Sequence, residues 1–156
     1  MSRACCFTGH RELPPLGSEP YNELMRALQT AVADAIALGC THFFAGGATG
    51  FDMLAAELIL LKRRNNPSLE LTVCVPYLGH DSAFSAMDRY RFKKLKEQAD
   101  RVLFLSDRYT PGCFWQRNRY MVEHADVCIA YVRRKPSGSA QTMRMAEKRG
   151  LRLLLV

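Results

Sequence analysis

Six short apolar runs, separated by longer amphipathic stretches, constrain this chain more than any single motif. They are Ala4 to Thr8, Thr41 to Ala45, Leu69 to Val75, Arg101 to Leu105, Val127 to Tyr131 and Leu151 to Val156. Apolar residues run through them almost without alternation, which predicts strands buried on both faces. Helical patterns fill the gaps. Ser18 caps the first, Pro20 sits in its first turn, and Leu24, Leu28, Ala31, Ala35 and Leu38 recur at spacings of three and four until Gly39 stops it. Cys40 falls at the end of that helix. The others run from about Phe51 to Asn65, Ala86 to Ala99, Phe114 to His124 and Gly138 to Arg149. Strands alternating with helices predict a doubly wound α/β domain over 1–156, with a mostly parallel sheet of six strands and helices on both faces.

The second run feeds Ala45-Gly46-Gly47-Ala48-Thr49-Gly50-Phe51-Asp52, a strand, glycine loop and helix start. The glycines allow a tight turn and close approach to a ligand. A helix N-terminus behind them suits an anion, above all a phosphate. Thr49 and Asp52 have the spacing of a capping box, as do Ser85 and Asp88. The loop is neither G-x-G-x-x-G nor G-x-x-x-x-G-K-[ST], so it matches neither the dinucleotide fingerprint nor the P-loop.

In a parallel sheet the loops after the strands share one edge, where ligands bind. That edge collects Thr8, Gly9, His10 and Arg11; Gly46, Gly47, Thr49, Gly50 and Asp52; Pro76 and Tyr77; Arg117 and Asn118 from the helix after the fourth strand; and Arg133, Arg134, Ser137, Gly138, Ser139 and Thr142. Two glycine-containing helix starts suit a pyrophosphate or a nucleotide with separated anionic groups. Asp52 is poorly placed to meet a phosphate and better suited to ribose hydroxyls or a base. His10 reads as a solvent-facing loop residue. Tyr77 and Trp115 stand where a base could stack.

Composition narrows the setting. Hydrophobic residues make up 48% and charged residues 24%, an ordinary globular balance. No apolar run approaches the ~20 residues of a membrane helix, and the segment from Met1 to Phe7 is too short for a signal peptide. A cytoplasmic protein is expected. The six cysteines form no C-x-x-C pair and read as small buried hydrophobes; Cys113 stands apart, in a loop beside the candidate site. No metal site is expected. The formal net charge of +7 favours anionic partners. The basic helix with Arg89, Arg91, Lys93, Lys94 and Lys96 would supply a stripe for DNA, or simply a solvated face.

Four segments carry a resemblance: Phe7-Thr8-Gly9-His10-Arg11; Gly46-Gly47-Ala48-Thr49-Gly50-Phe51-Asp52 with Ala55-Ala56-Glu57; Arg117-Asn118-Arg119-Tyr120-Met121-Val122; and Ser137-Gly138-Ser139-Ala140-Gln141-Thr142. In this order and spacing they resemble the YpsA-like branch of the SLOG superfamily, which joins the DprA/Smf DNA-processing proteins and the "lonely guy" phosphoribohydrolases. The resemblance spans Cys6 to Leu154. It implies a Rossmann-like fold with a nucleotide or nucleotide-derived ligand lined by Gly9, Arg11, Gly46, Gly47, Gly50, Asp52, Arg117, Asn118, Gly138, Ser139 and Thr142. The chain departs from the family pattern twice. Ser137-Gly138-Ser139-x-x-Thr142 replaces G-G-T-x-x-T, with Ser137 expected to cost backbone freedom. Arg144 stands where the lonely-guy pattern has its catalytic glutamate.

The leading expectation is a binding module for a nucleoside monophosphate or an ADP-ribose-like ligand, sensing or regulatory in role, as a homodimer or higher homo-oligomer. An N-glycosidic hydrolase with Asp52 as its carboxylate, and a DprA-like DNA-binding protein, are the alternatives. No certain cofactor and no membrane partner are expected.

Overall fold

The computed structural model describes residues 2–156; Met1, the start of the segment judged too short for a signal peptide, lies outside the described residues. In chain order the elements are β1 (Arg3–Gly9), α1 (Glu19–Ala37), β2 (Cys40–Ala45), α2 (Phe51–Arg63), β3 (Glu70–Val75), α3 (Ala86–Gln98), β4 (Arg101–Phe104), α4 (Cys113–Glu123), β5 (Val127–Tyr131), α5 (Gly138–Lys148) and β6 (Arg152–Leu155). A single 3-10 turn, His80–Ala83, interrupts the loop before α3. The six strands form one all-parallel sheet in the order β4-β3-β2-β1-β5-β6. The Rossmann-like α/β expectation holds.

This order explains the layering. From β1 the chain steps outward through β2, β3 and β4. It then returns to the other side of β1 for β5 and β6. Right-handed crossovers in opposite directions put their helices on opposite faces. α1, α2 and α3 cover one face, with Leu28, Val32, Met53, Ile59 and Phe92 packed on Phe7, Phe43, Val73 and Ile129. α4 and α5 cover the other, where Met121, Val122 and Ala146 meet Cys6, Phe44, Cys74 and Cys128. The split follows the two-residue period of the strands: Cys5 and Phe7 face one layer, Cys6 the other. The direction reverses between β1 and β5, and there the C-terminal strand ends part to leave a crevice.

Three local readings change. Cys40 does not end α1; it opens β2, after Leu38 caps the helix and Gly39 turns at φ +98°. Thr49 does not cap α2. Gly50 takes that position at φ +78°, with no side-chain cap, so the capping box fails although its spacing is right. Cys113 is not in a loop; it is the first residue of α4 and fully buried. The cap at Ser85 does form, through Asp88 N–H at 3.1 Å.

Gly50 shows why the expected cap is displaced. The loop after β1 passes directly over it. The His10 carbonyl accepts from Phe51 N–H at 3.1 Å, and a Cβ on Gly50 would lie 2.6 Å from Arg11 Cα. Gly9 is equally closed: a Cβ there would lie 2.7 Å from Phe51 Cβ. By contrast Gly17 and Gly79 also have positive φ, but a Cβ on either meets nothing within 4 Å. Gly50→Ala therefore combines a strained φ with a backbone collision, and is expected to cost roughly 3 kcal/mol or more; Gly17→Ala and Gly79→Ala should cost about 1 kcal/mol each. Urea denaturation of the three variants checks this. Equal losses at all three would show that φ alone matters and that the close passage does not.

Candidate functional site

The crevice between β1 and β5 is a cavity of about 330 Å³. Its walls come from the loop after β1, the start of α2, one face of α4 and the start of α5. Of the residues expected from the sequence, Thr8, Gly9, Arg11, Asp52, Arg117, Asn118, Gly138 and Ser139 line it together. Thr49 lines a neighbouring cleft instead. Gly46, Gly47 and Gly50 shape the turn beneath without lining the cavity. Pro76 is buried at the end of β3, and Thr142 is buried one turn into α5, its hydroxyl bonded to the Gly138 carbonyl at 3.1 Å. Neither faces the cavity wall.

His10 is the largest departure from the sequence reading. It is 6% exposed, not solvent-facing. Its Nε2 lies 2.7 Å from the Arg133 backbone nitrogen and 3.2 Å from that of Arg134. Backbone N–H groups only donate, so Nε2 accepts and the proton resides on Nδ1. Nδ1–H then donates to Ser139 Oγ at 3.1 Å. Burial, followed by the charges of Arg134 and Arg133, lowers the His10 pKa and keeps the ring neutral. One imidazole thus ties the end of β1 to both sides of the loop entering α5. The partners lie more than 120 residues away, so no local signal marks the position.

The α5 entrance is built for its task. Ser137 caps the helix, accepting from Ala140 N–H at 3.1 Å and donating to the Arg134 carbonyl at 2.8 Å. Its φ of −160° is extended backbone open to any residue. The expected loss of backbone freedom from serine at this position therefore does not arise. The first N–H groups of α5 have no partners within the helix, and its first two residues, Gly138 and Ser139, line the cavity at the positive end of its dipole. The start of α2 is different. Its first N–H is bonded to His10, and the Asp52 carboxylate accepts from Ala48 N–H. The free helix start of this site belongs to α5, not to the glycine loop.

Asp52 and Arg117 meet over Gly46. A Cβ on Gly46 would lie 2.6 Å from Asp52 Oδ2 and 2.9 Å from Arg117 Nη1, so glycine is what lets the two approach. Arg117 is 5% exposed. Its Nη1 donates to the Gly46 carbonyl and its Nε to Asn118 Oδ1 at 2.7 Å, and its guanidinium lies 5.8 Å from the Phe114 ring centre. Burial raises the Asp52 pKa to about 6 against the opposing pull of Arg117, the Ala48 N–H and Arg11. Burial also lowers that of Arg117, which Asp52 opposes. Phe114 carries Arg11 as well, at 5.3 Å. Phe114 escaped the sequence reading because an aromatic at a helix start looks like core.

The basic stripe of α3 is mostly engaged. Arg91 is held by both oxygens of Glu57, at 3.0 and 2.5 Å, and Lys94 lies 3.7 Å from Glu97. Lys96 lies 4.7 Å from the Phe92 ring centre. Among the described residues no helix is long and apolar enough to cross a membrane.

Comparison with known proteins agrees with this architecture. A UPF0398 protein of Halalkalibacterium halodurans is 25% identical over 129 residues, covering 81% of this chain and 68% of that protein. The SPbeta prophage-derived protein YoqJ of Bacillus subtilis is 22% identical over 119 residues, covering 69% of this chain and 70% of its own length. Among solved structures, DNA processing protein A from Helicobacter pylori, described with a single-stranded DNA binding mode, superposes with a TM-score of 0.67 at 21% identity over 98% of this chain. DNA processing protein A from Streptococcus pneumoniae gives 0.61 at 14% over 97%. The chain spans 64% and 49% of those two proteins, and the likeness is one of fold. The YpsA family model, described as the YspA SLOG family, matches residues 6–151. With that match running from within β1 to beyond the end of α5, the chain belongs to the YspA SLOG family.

Proposed function

We propose that the cavity between β1 and β5 binds a phosphate-bearing nucleotide or nucleotide derivative in a sensing or regulatory role. The observation that carries this reading is the convergence of the open α5 N-terminus with Arg11, Arg117 and Asp52 around one cavity. Its volume of about 330 Å³ is at the small end for ligand sites and suits a nucleoside monophosphate. The phosphate sits at Gly138 and Ser139, with Arg134 and Arg11 at the rim. Arg117, buried and always charged, adds field without moving. Asp52 and Asn118 face the sugar. Membership of the SLOG family, and the DNA-processing neighbours of the same fold, support a nucleotide-related ligand.

Isothermal calorimetry with AMP, GMP, ADP-ribose and inorganic phosphate tests the reading. Gly138→Glu is the diagnostic variant, because a Cβ there meets nothing within 4 Å, so the fold tolerates it while a carboxylate occupies the anion site. A loss of binding of about tenfold or more is expected. No binding by any of the four compounds, or unchanged affinity in Gly138→Glu, overturns the assignment. Substitution at Gly50 is uninformative here because it tests the fold.

Asp52 adds a pH dependence. Its pKa rises from 3.8 unfolded to about 6 folded. The folded state therefore binds the proton more tightly, so this group's contribution to stability is full below about pH 4 and is lost as pH rises through about 6, by on the order of 3 kcal/mol. Asp52→Asn removes that dependence. The variant should match the wild type near pH 4 and exceed its stability at pH 7.5, in denaturant titrations at both values. Anion binding should also strengthen as pH falls through about 6 in the wild type and not in the variant. A stability difference that is the same at both pH values contradicts the assigned protonation.

The same buried carboxylate favours a second reading, hydrolysis of an N-glycosidic bond. Asp52 would stabilise an oxocarbenium-like transition state beside the ribose. The Arg144 side chain, at the position of the lonely-guy glutamate, is on an exposed position of α5 and does not line the cavity. Release of free base from nucleoside monophosphates, abolished in Asp52→Asn, is the expected result under this reading. A product-free incubation at high protein concentration would retire it and leave the binding function standing.

A further inference from the structure

A second cleft of about 370 Å³ opens beside the first, and the two share Arg11, Ala48 and Phe114. A ligand anchored in one can therefore extend into the other past the Arg11 guanidinium. The new walls are aromatic: Tyr77, His80 and Phe84 join Phe114. They hold one another edge to face. Tyr77 and His80 lie 6.1 Å apart at 80°, His80 and Phe84 5.2 Å at 74°, and Tyr77 and Phe114 6.2 Å at 88°. Such contacts fix ring orientations, so the stacking surfaces exist before a ligand arrives.

The polar groups of this cleft select by hydrogen-bond type. His80 Nε2 lies 3.0 Å from the Gly47 carbonyl, which can only accept. Nε2 therefore carries the proton and Nδ1 is left as an acceptor. Burial, the largest influence on the ring, lowers its pKa and keeps it neutral. Asp88 adds a carboxylate. Its ion pair with Arg91 is long, at 3.6 Å, and Arg91 is already gripped by both oxygens of Glu57. Arg11 and the Thr49 and Ser85 hydroxyls also line the cleft, at its shared side and at the start of α3; an aromatic slot that adds a carboxylate and an imidazole acceptor to them fits a flat ring that carries N–H donors.

We propose that this second cleft is a nucleobase subsite for a guanine-type base, with Asp88 reading the ring's N–H edge and the phosphate held at α5. The proposal rests on the phosphate-binding reading above and adds the base. Guanine presents N1–H and the exocyclic amine as adjacent parallel donors, which one carboxylate accepts together. Hypoxanthine offers N1–H without the amine. Adenine sets an acceptor beside its amine, facing the carboxylate with a lone pair. Uracil has a single ring N–H flanked by carbonyls and less surface to stack.

Calorimetry of the full chain with ribose 5-phosphate, GMP, IMP, AMP and UMP separates these cases. GMP should bind about ten- to a hundredfold tighter than ribose 5-phosphate, the gain expected from stacking and edge recognition. Asp88→Asn should erase the preference for GMP over IMP and leave ribose 5-phosphate within about twofold of the wild type. Tyr77→Ala should weaken all the nucleotides and spare ribose 5-phosphate. Thermal melts of both variants, set beside the wild type, confirm that they are folded. Ribose 5-phosphate binding as tightly as GMP, AMP or UMP binding tighter than GMP, or an unchanged preference in Asp88→Asn each overturns the subsite while the phosphate site stands. Failure of all five compounds to bind overturns both.

Discussion

The rest of the structure depends on one close passage, where the loop leaving β1 crosses the first turn of α2. Gly9 lies against the Phe51 side chain, Gly50 against the Arg11 backbone, and Phe51 N–H is bonded to the His10 carbonyl. No side chain fits at either glycine. This contact brings the start of α2 to the end of β1, at the strand next to the topological reversal. It places Arg11 over Phe114 and Asp52 within the cavity. His10 then reaches across to β5 and α5, so three loops from distant parts of the chain are fixed relative to one another by one dipeptide step.

Electrostatics around this junction are unusually costly for a surface crevice. Arg117 and Asp52 are both buried, and each opposes the burial penalty of the other without cancelling it. A guanidinium cannot shed its charge, so the strain falls on the carboxylate, whose pKa rises to about 6. A fold seeking only stability would place apolar side chains here. A buried cation beside a carboxylate that is easily protonated fits a site that exchanges charge with a ligand.

Much of the fold was legible in the sequence because buried parallel strands announce themselves as continuous apolar runs. β5 was legible to the residue, as Val127 to Tyr131. The order of the strands was not, because nothing in a run of valines and leucines says which neighbour it pairs with. At the site, the glycines and Arg117-Asn118 were legible through their resemblance to a family pattern. His10 was not: a histidine after a strand-end glycine normally meets water, and only the β5–α5 loop buries it. His80 was missed for a related reason. It lies in a 3-10 turn with no hydrophobic periodicity, although the aromatic spacing Tyr77, His80, Phe84 was there to be read. The capping box at Thr49 failed because spacing alone cannot see that Arg11 passes overhead and demands glycine at position 50.

The two helix starts at the crevice, equivalent in the sequence, divide their labour in three dimensions. α2 closes its own N-terminus: the chain supplies a carbonyl to its first N–H, and Asp52 supplies a negative charge in the first turn. α5 is capped by Ser137, which takes up Ala140 N–H, and held by His10 at Ser139 Oγ, so Gly138 and Ser139 are what it presents to the cavity. Under the proposed function, an anion drawn to α5 and repelled by ionised Asp52 binds at one end of the cavity. In that reading the rest of the ligand runs past Asp52, Arg11 and Phe114, where the walls turn from charged to aromatic. The glycines of the loop after β2 do not line the cavity. They are the floor that lets Asp52 and Arg117 come close enough to give the crevice its polarity.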